Sequence, residues 1–188
     1  ISVDGDDVRV RYNVGARNRG KSSRTRFPNN YRINFQHDEL WNDVSGININ
    51  VVNTFRQAVG TAVFQMADLM TSSAELVKMK VNGRDLAKSG SDMYGHYVKL
   101  EVYDSYFAEQ HMGHDDGGNL YKAQRFPWTA RLEYLGTDPN DYIENGYSKN
   151  TNEEENDWSD LFDLTNVLDN SSDSNYVEEV YRVLDVDQ

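Results

Sequence analysis

Eight cations, Arg9, Arg11, Arg17, Arg19, Lys21, Arg24, Arg26 and Arg32, fall within residues 9–32 with no acid among them. On a chain of net charge −12, such an island is a place for an anion, because guanidinium forks donate paired hydrogen bonds to phosphate or carboxylate. Gly15 and Gly20 let backbone approach a ligand, Ser22 and Ser23 add hydroxyls, and Arg17, Arg19, Lys21 and Arg24 add charge-assisted donors. These supply one part of phosphoryl-transfer chemistry, which also needs Mg2+ and a positioned base. Residues 15–22, GARNRGKS, also fit the letters of a GxxxxGK[ST] phosphate loop. That loop requires a helix next, whereas SRTRFPNNYRINF, with Pro28 and alternating Tyr31, Ile33 and Phe35, reads as loop and then strand. The competing account of the island is a solvated basic hairpin loop whose charge pairs with the acidic tail.

Other candidates are weighed the same way. Lys99 and Glu101 project from one side of a strand and suit a lysine–carboxylate pair near a nucleotide, or else an ordinary surface pair. Tyr121 and Lys122 suit stacking on a base and contact with phosphate, against the common role of a strand tyrosine in a core. His111, His114, Asp115 and Asp116 lack metal-ligand spacing and read as a polar turn, and DPNDYIENG at 138–146 lacks the ligand pattern of a calcium loop. With no cysteine, disulfides, thiolate zinc sites and thiol nucleophiles are excluded. Nucleic acid is a disfavoured partner at pI 4.7.

Positioning these groups falls to a succession of strands, a helix, more strands and then helices. Val8, Val10, Tyr12 and Val14 alternate with polar residues, as do Tyr31, Ile33 and Phe35, and Ile47, Ile49 and Val51. Between the first two runs, residues 15–30 read as loop. From Asn53 as N-cap, Phe55, Val59, Val63, Met66 and Met70 trace one face of a helix of about five turns, with Gly60 explained by close packing on the sheet. Strands near 75–81 and 94–103 read as an antiparallel pair, Asp104 caps a short helix ending near Gly113, and 119–123 is a further strand. Thr151 and Glu154 have the spacing of a capping box before Trp158, Leu161, Phe162 and Leu168, the acids at 153–157 suit a helix start, and Val177, Val180, Tyr181 and Leu184 form another amphipathic face. Strands clustered ahead of helices predict an α+β fold with a mainly antiparallel sheet.

Aromatic content of 12% and a hydrophobic fraction of 38% in 188 residues support a packed core beneath an acidic surface. Residues 137–188 carry fifteen acids against Lys149 and Arg182, a net −13 that leaves residues 1–136 at +1. This step predicts a sheet-rich lobe over 1–136 and an acidic helical segment over 137–188. No apolar run reaches the roughly 18 residues of a membrane span, and Ile1 opens the chain without a leader pattern.

Segments in register resemble the CotH (spore-coat protein H) kinase family. RNRGKSSRTRFPNNYRINF at 17–35 is similar to its RGxSSRxxPKxxYRLxF, MYGHYVKLEVYDSYFAEQH at 93–111 to GLYLLxExxDxxFL, and GGNLYKAQR at 117–125 to DGNLYK. The helix TFRQAVGTAVFQMADL with its following VNG, and YSKNTNEEENDWSDL at 147–161, keep the same order. The resemblance implies an atypical-kinase N-lobe that binds ATP and Mg2+ for transfer to Ser/Thr of a surface or secreted protein, with an extracellular or cell-surface location. It implies nucleotide contacts from Arg17, Arg19, Lys21, Ser22, Arg24, Arg32, Lys99, Glu101, Tyr121 and Lys122. Asn29 and Asn30 stand where the family tends to place a lysine, leaving Arg32 to substitute. The family's catalytic and metal-binding aspartates lie in later motifs, GNxDxxxxNY and PWDxD, that these residues lack, and WTA at Trp128 is not one of them. The expectation is therefore a chain short of its catalytic segment, with the remainder of a C-lobe as its partner. The alternative is a secreted binding or structural module on the same scaffold without catalysis.

Overall fold

The structure, a computed structural model, describes the chain apart from residues 5, 21–23, 26, 87–94, 125–129 and 186–188. It comprises two compact units, Ile1–Phe107 and Ala108–Gln188, so the charge step near Gly136 falls inside the second. In the first unit, β1 (Ser2–Asp4) and β2 (Asp7–Arg9) pair as a small hairpin. There follow β3 (Gly15–Arg19), β4 (Asn30–Asn34), β5 (Gly46–Asn50), α1 (Thr54–Met66), β6 (Ala74–Lys78), the short pair β7 (Lys80–Val81) and β8 (Arg84–Asp85) and β9 (His96–Leu100), and α2 (Ser105–His111) then spans the boundary between the units. Five of these strands form one antiparallel sheet in the order β3-β4-β5-β9-β6. Helices with an antiparallel sheet make the fold α+β, as the order of sequence patterns requires.

Register assigns the faces. Ala16, Ile33, Ile47, Ile49, Lys99, Tyr97, Glu75 and Val77 share one side, since directly paired residues of antiparallel strands project together. There Ile47, Ile49, Val51 and Tyr97 form the buried core, with Tyr31, Ile33, Phe35, Trp41 and Val77 against it. The opposite side carries Arg17, Arg32, Asn48, Asn50 and Val98, and α1 packs by β6 and β9.

Three local expectations are corrected. Residues 15–30 are not all loop, because 15–19 form β3; its GARNR has no apolar alternation, and its place in the sheet rests on backbone pairing with β4. The first alternating run ends as a strand at Arg9 rather than continuing to Val14. Among the described residues the apolar stripe of α1 is not covered: Phe55 is 69% exposed and Met66 87%, and a Cβ on Gly60 would meet none of them within 4 Å, so close packing against them does not explain that glycine.

The second unit pairs β10 (Tyr121–Ala123) with β11 (Tyr147–Lys149) and adds α3 (Pro139–Glu144), α4 (Ser159–Asn170) and α5 (Tyr176–Val183). Asp138 caps α3 by accepting from the Asn140 N–H at 2.9 Å, with Pro139 opening the helix. Tyr142, Tyr147, Trp158 and Leu161 are its buried core. Thr151 is not a helix cap; its hydroxyl donates to the Gly118 carbonyl and accepts from the Leu120 N–H, while residues 153–155 form a single 3-10 turn and α4 begins at Ser159. Arg182 on α5 grips Asp163 on α4 through both terminal nitrogens, at 2.6 and 2.9 Å.

Candidate functional site

The strongest chemical feature is the polar face of the five-stranded sheet. Arg17 on β3 is the direct cross-strand partner of Arg32 on β4, and Arg19, two residues along β3, lies on the same face. Directly opposed like charges destabilise a sheet by up to about 1 kcal/mol, so this placement works against the fold. Burial is the main cause holding the Arg32 guanidinium below its usual pKa; Asp104 opposes that shift, and Arg17 and Arg19 add to it. Arg19 is shifted the same way, by burial first and then by Arg17.

Uncharged oxygens hold two of these cations. Arg32 Nε donates to Asn34 Oδ1 at 2.6 Å, and Arg19 Nη1 donates to Asn50 Oδ1 at 2.8 Å. Asn50 Nδ2 in turn donates to Gln57 Oε1 on α1 at 2.8 Å. Beneath Arg32 lies Gly46, where a Cβ would stand 2.7 Å from Arg32 Nη2 and 2.7 Å from the Ile33 carbonyl oxygen. The backbone oxygen cannot move aside cheaply. Gly46→Ala is therefore expected to cost about 1–3 kcal/mol of stability, measured by urea unfolding.

The β3–β4 hairpin loop adds Arg24, exposed, its Nε donating to the Gly20 carbonyl at 3.2 Å. Asn29 Nδ2 donates to the Arg24 carbonyl and Asn30 Oδ1 accepts from the Val51 N–H, so both asparagines bond to backbone. Lys21 and Ser22 lie outside the described residues. The element after the GARNRGKS letters is β4, not a helix, which removes the phosphate-loop alternative.

Lys99 faces the other side of the sheet, among the core residues. Its Nζ sits 2.6 Å from Glu75 Oε1 and 4.9 Å from the centre of the Trp41 ring, so its carboxylate partner is Glu75. Glu101 Oε2 accepts from the Ser73 N–H at 3.0 Å. Lys99 is on the face of the sheet opposite Arg17, Arg19 and Arg32, because successive side chains of a strand alternate between faces.

In the second unit, Tyr121 packs on Trp158 with ring centres 5.2 Å apart, and its hydroxyl donates to Asp160 Oδ1. Burial, then Asp160, drives its pKa well upward. Lys122 is exposed. An open polar cavity of about 260 Å3 lies between α4 and α5, lined by Asn166, Asn170, Asn175, Glu179 and Arg182 among others. Among the described residues no three His, Asp or Glu side chains gather as a metal site, and no helix is long and apolar enough to cross a membrane.

Charge density exposes the arginines in the sequence; Asn34, Asn50 and Gln57 carry no such signal. Their one trace is the pair Asn48 and Asn50 inside a strand that is otherwise isoleucine and glycine, a residue type poor in strands. A family model described as CotH kinase protein matches residues 16–188. No curated protein matches the chain.

Proposed function

The chain belongs to the CotH kinase family, and from that membership we propose that the polar face of its five-stranded sheet binds the phosphates of ATP for transfer to Ser/Thr of a surface or secreted protein. The observation that carries this reading is the cross-strand pair of arginines, Arg17 opposite Arg32, with Arg19 on the same face. A sequence breaks a local rule of stability where another demand outweighs it, and three guanidiniums side by side are matched to a polyanion.

The succession of elements supports the same reading. A loop-bearing hairpin, a third strand and then a helix is the order in which protein kinases set a phosphate-covering loop, a cationic strand and its partner helix. In this chain β3, β4, β5 and α1 come in that succession, with the cations on β3 and β4 and not on the third strand. Arg24 belongs to the covering loop, and Arg17, Arg19 and Arg32 to its floor. Mg2+ accompanies the nucleotide, because it binds chiefly to phosphate oxygens and water with one or two carboxylates; when bound it neutralises charge developing on the transferred group. The role proposed for the polar face is nucleotide binding.

Calorimetry of the 188-residue chain with ATP and Mg2+ tests this, and saturable heat from one site, weakening as salt rises, is the expected result. Absence of heat at millimolar ATP would overturn the nucleotide site and leave the non-catalytic binding module.

A further inference from the structure

We infer that Asn50 and Gln57 are positioning residues for Arg19, a chain of side-chain amides through which helix α1 fixes that guanidinium on the phosphate-binding face. The inference rests on the nucleotide reading above. Arg19 Nη1 donates to Asn50 Oδ1 at 2.8 Å, Asn50 Nδ2 donates to Gln57 Oε1 at 2.8 Å, and Gln57 Nε2 donates to the Val52 carbonyl. The direction is imposed from both ends. A guanidinium only donates and a carbonyl only accepts, so each amide between them has a single orientation that satisfies its neighbours.

The chemistry of the holder matters as much as its geometry. A carboxylate in place of Asn50 would orient Arg19 and cancel its charge, defeating a face that must attract an anion; an amide oxygen orients without neutralising. Asn34 does the same for Arg32. Protein kinases join their strand lysine to the following helix through a glutamate, whereas α1, TFRQAVGTAVFQM, contains no acid. Gln57, in its first turn, makes the strand-to-helix link with a neutral group.

Two measurements on the full chain test the relay. In the ligand-free protein, nitrogen-15 NMR of the Arg19 side chain should show a restrained guanidinium in the parent and faster guanidinium rotation in Gln57→Met. An unchanged Arg19 signal overturns the relay whatever ATP does. By calorimetry, Gln57→Met should weaken ATP binding about three- to tenfold, the worth of one hydrogen bond. The same substitution in an Arg19→Met background should then add little, because both act through one group. Equal losses in both backgrounds would make Gln57 merely structural and overturn the inference. An Arg19 signal that responds while ATP binds nowhere leaves the amide chain standing and overturns the nucleotide reading instead.

Discussion

Arg32→Met is expected to weaken ATP binding by roughly ten- to a hundredfold, the range for losing charge-assisted hydrogen bonds, while the free chain melts at the same temperature or higher. Arg32 is central to the polar face, opposite Arg17, over Gly46 and bonded to Asn34. Its charge is partly buried and sits beside two like charges, an arrangement that costs the unliganded fold and gains only when an anion arrives. Methionine keeps the aliphatic cover over Gly46 and removes the repulsion, which is why affinity and stability should move in opposite directions. Arg32→Lys should recover only part of the affinity, since an ammonium has no planar fork. A methionine variant that binds ATP like its parent, or one that loses stability and affinity together, would remove Arg32 from the site.

Two buried tyrosines should respond to the same edit in opposite ways. The Tyr142 hydroxyl accepts from the Leu135 N–H at 3.2 Å and lies 2.8 Å from Thr165 Oγ1, which itself donates to the Leu161 carbonyl. Tyr142→Phe strands those partners in a buried core and should cost about 1–3 kcal/mol. Tyr97 is fully buried, and its hydroxyl meets no hydrogen-bond partner among the described residues, so Tyr97→Phe should be neutral or stabilising. Urea unfolding compares the two. Burial, with Tyr31 nearby, pushes the Tyr97 pKa up to about 12. A group raised in the fold contributes stability that is intact below its unfolded value near 10 and is lost as pH climbs through 12. Tyr97→Phe should therefore lose less stability than its parent between those limits, and a larger loss would contradict the buried, partnerless hydroxyl.

Legibility in the sequence followed what a side chain advertises. Alternation found β4 and β5 because one face of each is apolar, and it found the β6–β9 pair although their core face also carries Glu75 and Lys99. It missed β3, whose GARNR is polar on both faces and whose pairing is made by backbone alone. Helical periodicity placed α1 and grouped Phe55 with Val59 and Val63, yet it reports only that residues share a face, and that face is exposed. A capping-box spacing misled at Thr151, where the hydroxyl is taken by Gly118 and Leu120 across a turn that only the fold brings near. The Asp138-Pro139 start of α3 is a helix-start signal in plain letters, an N-cap acid followed by proline at the first helical position. In the site, charge marked the arginines, but their neutral holders and the separation of Lys99 onto the far face depend on register, which no local pattern states.

Arginines steadied by asparagine oxygen have a practical consequence for anyone measuring the protein. Sulfate and phosphate carry the same chemistry as the tail of a nucleotide, so under the proposed function a phosphate buffer is expected to act as a competing ligand and not as an inert medium. Apparent affinities obtained in such a buffer and in a zwitterionic one are then different quantities, and the gap between them itself gauges how strongly the sheet attracts small oxyanions.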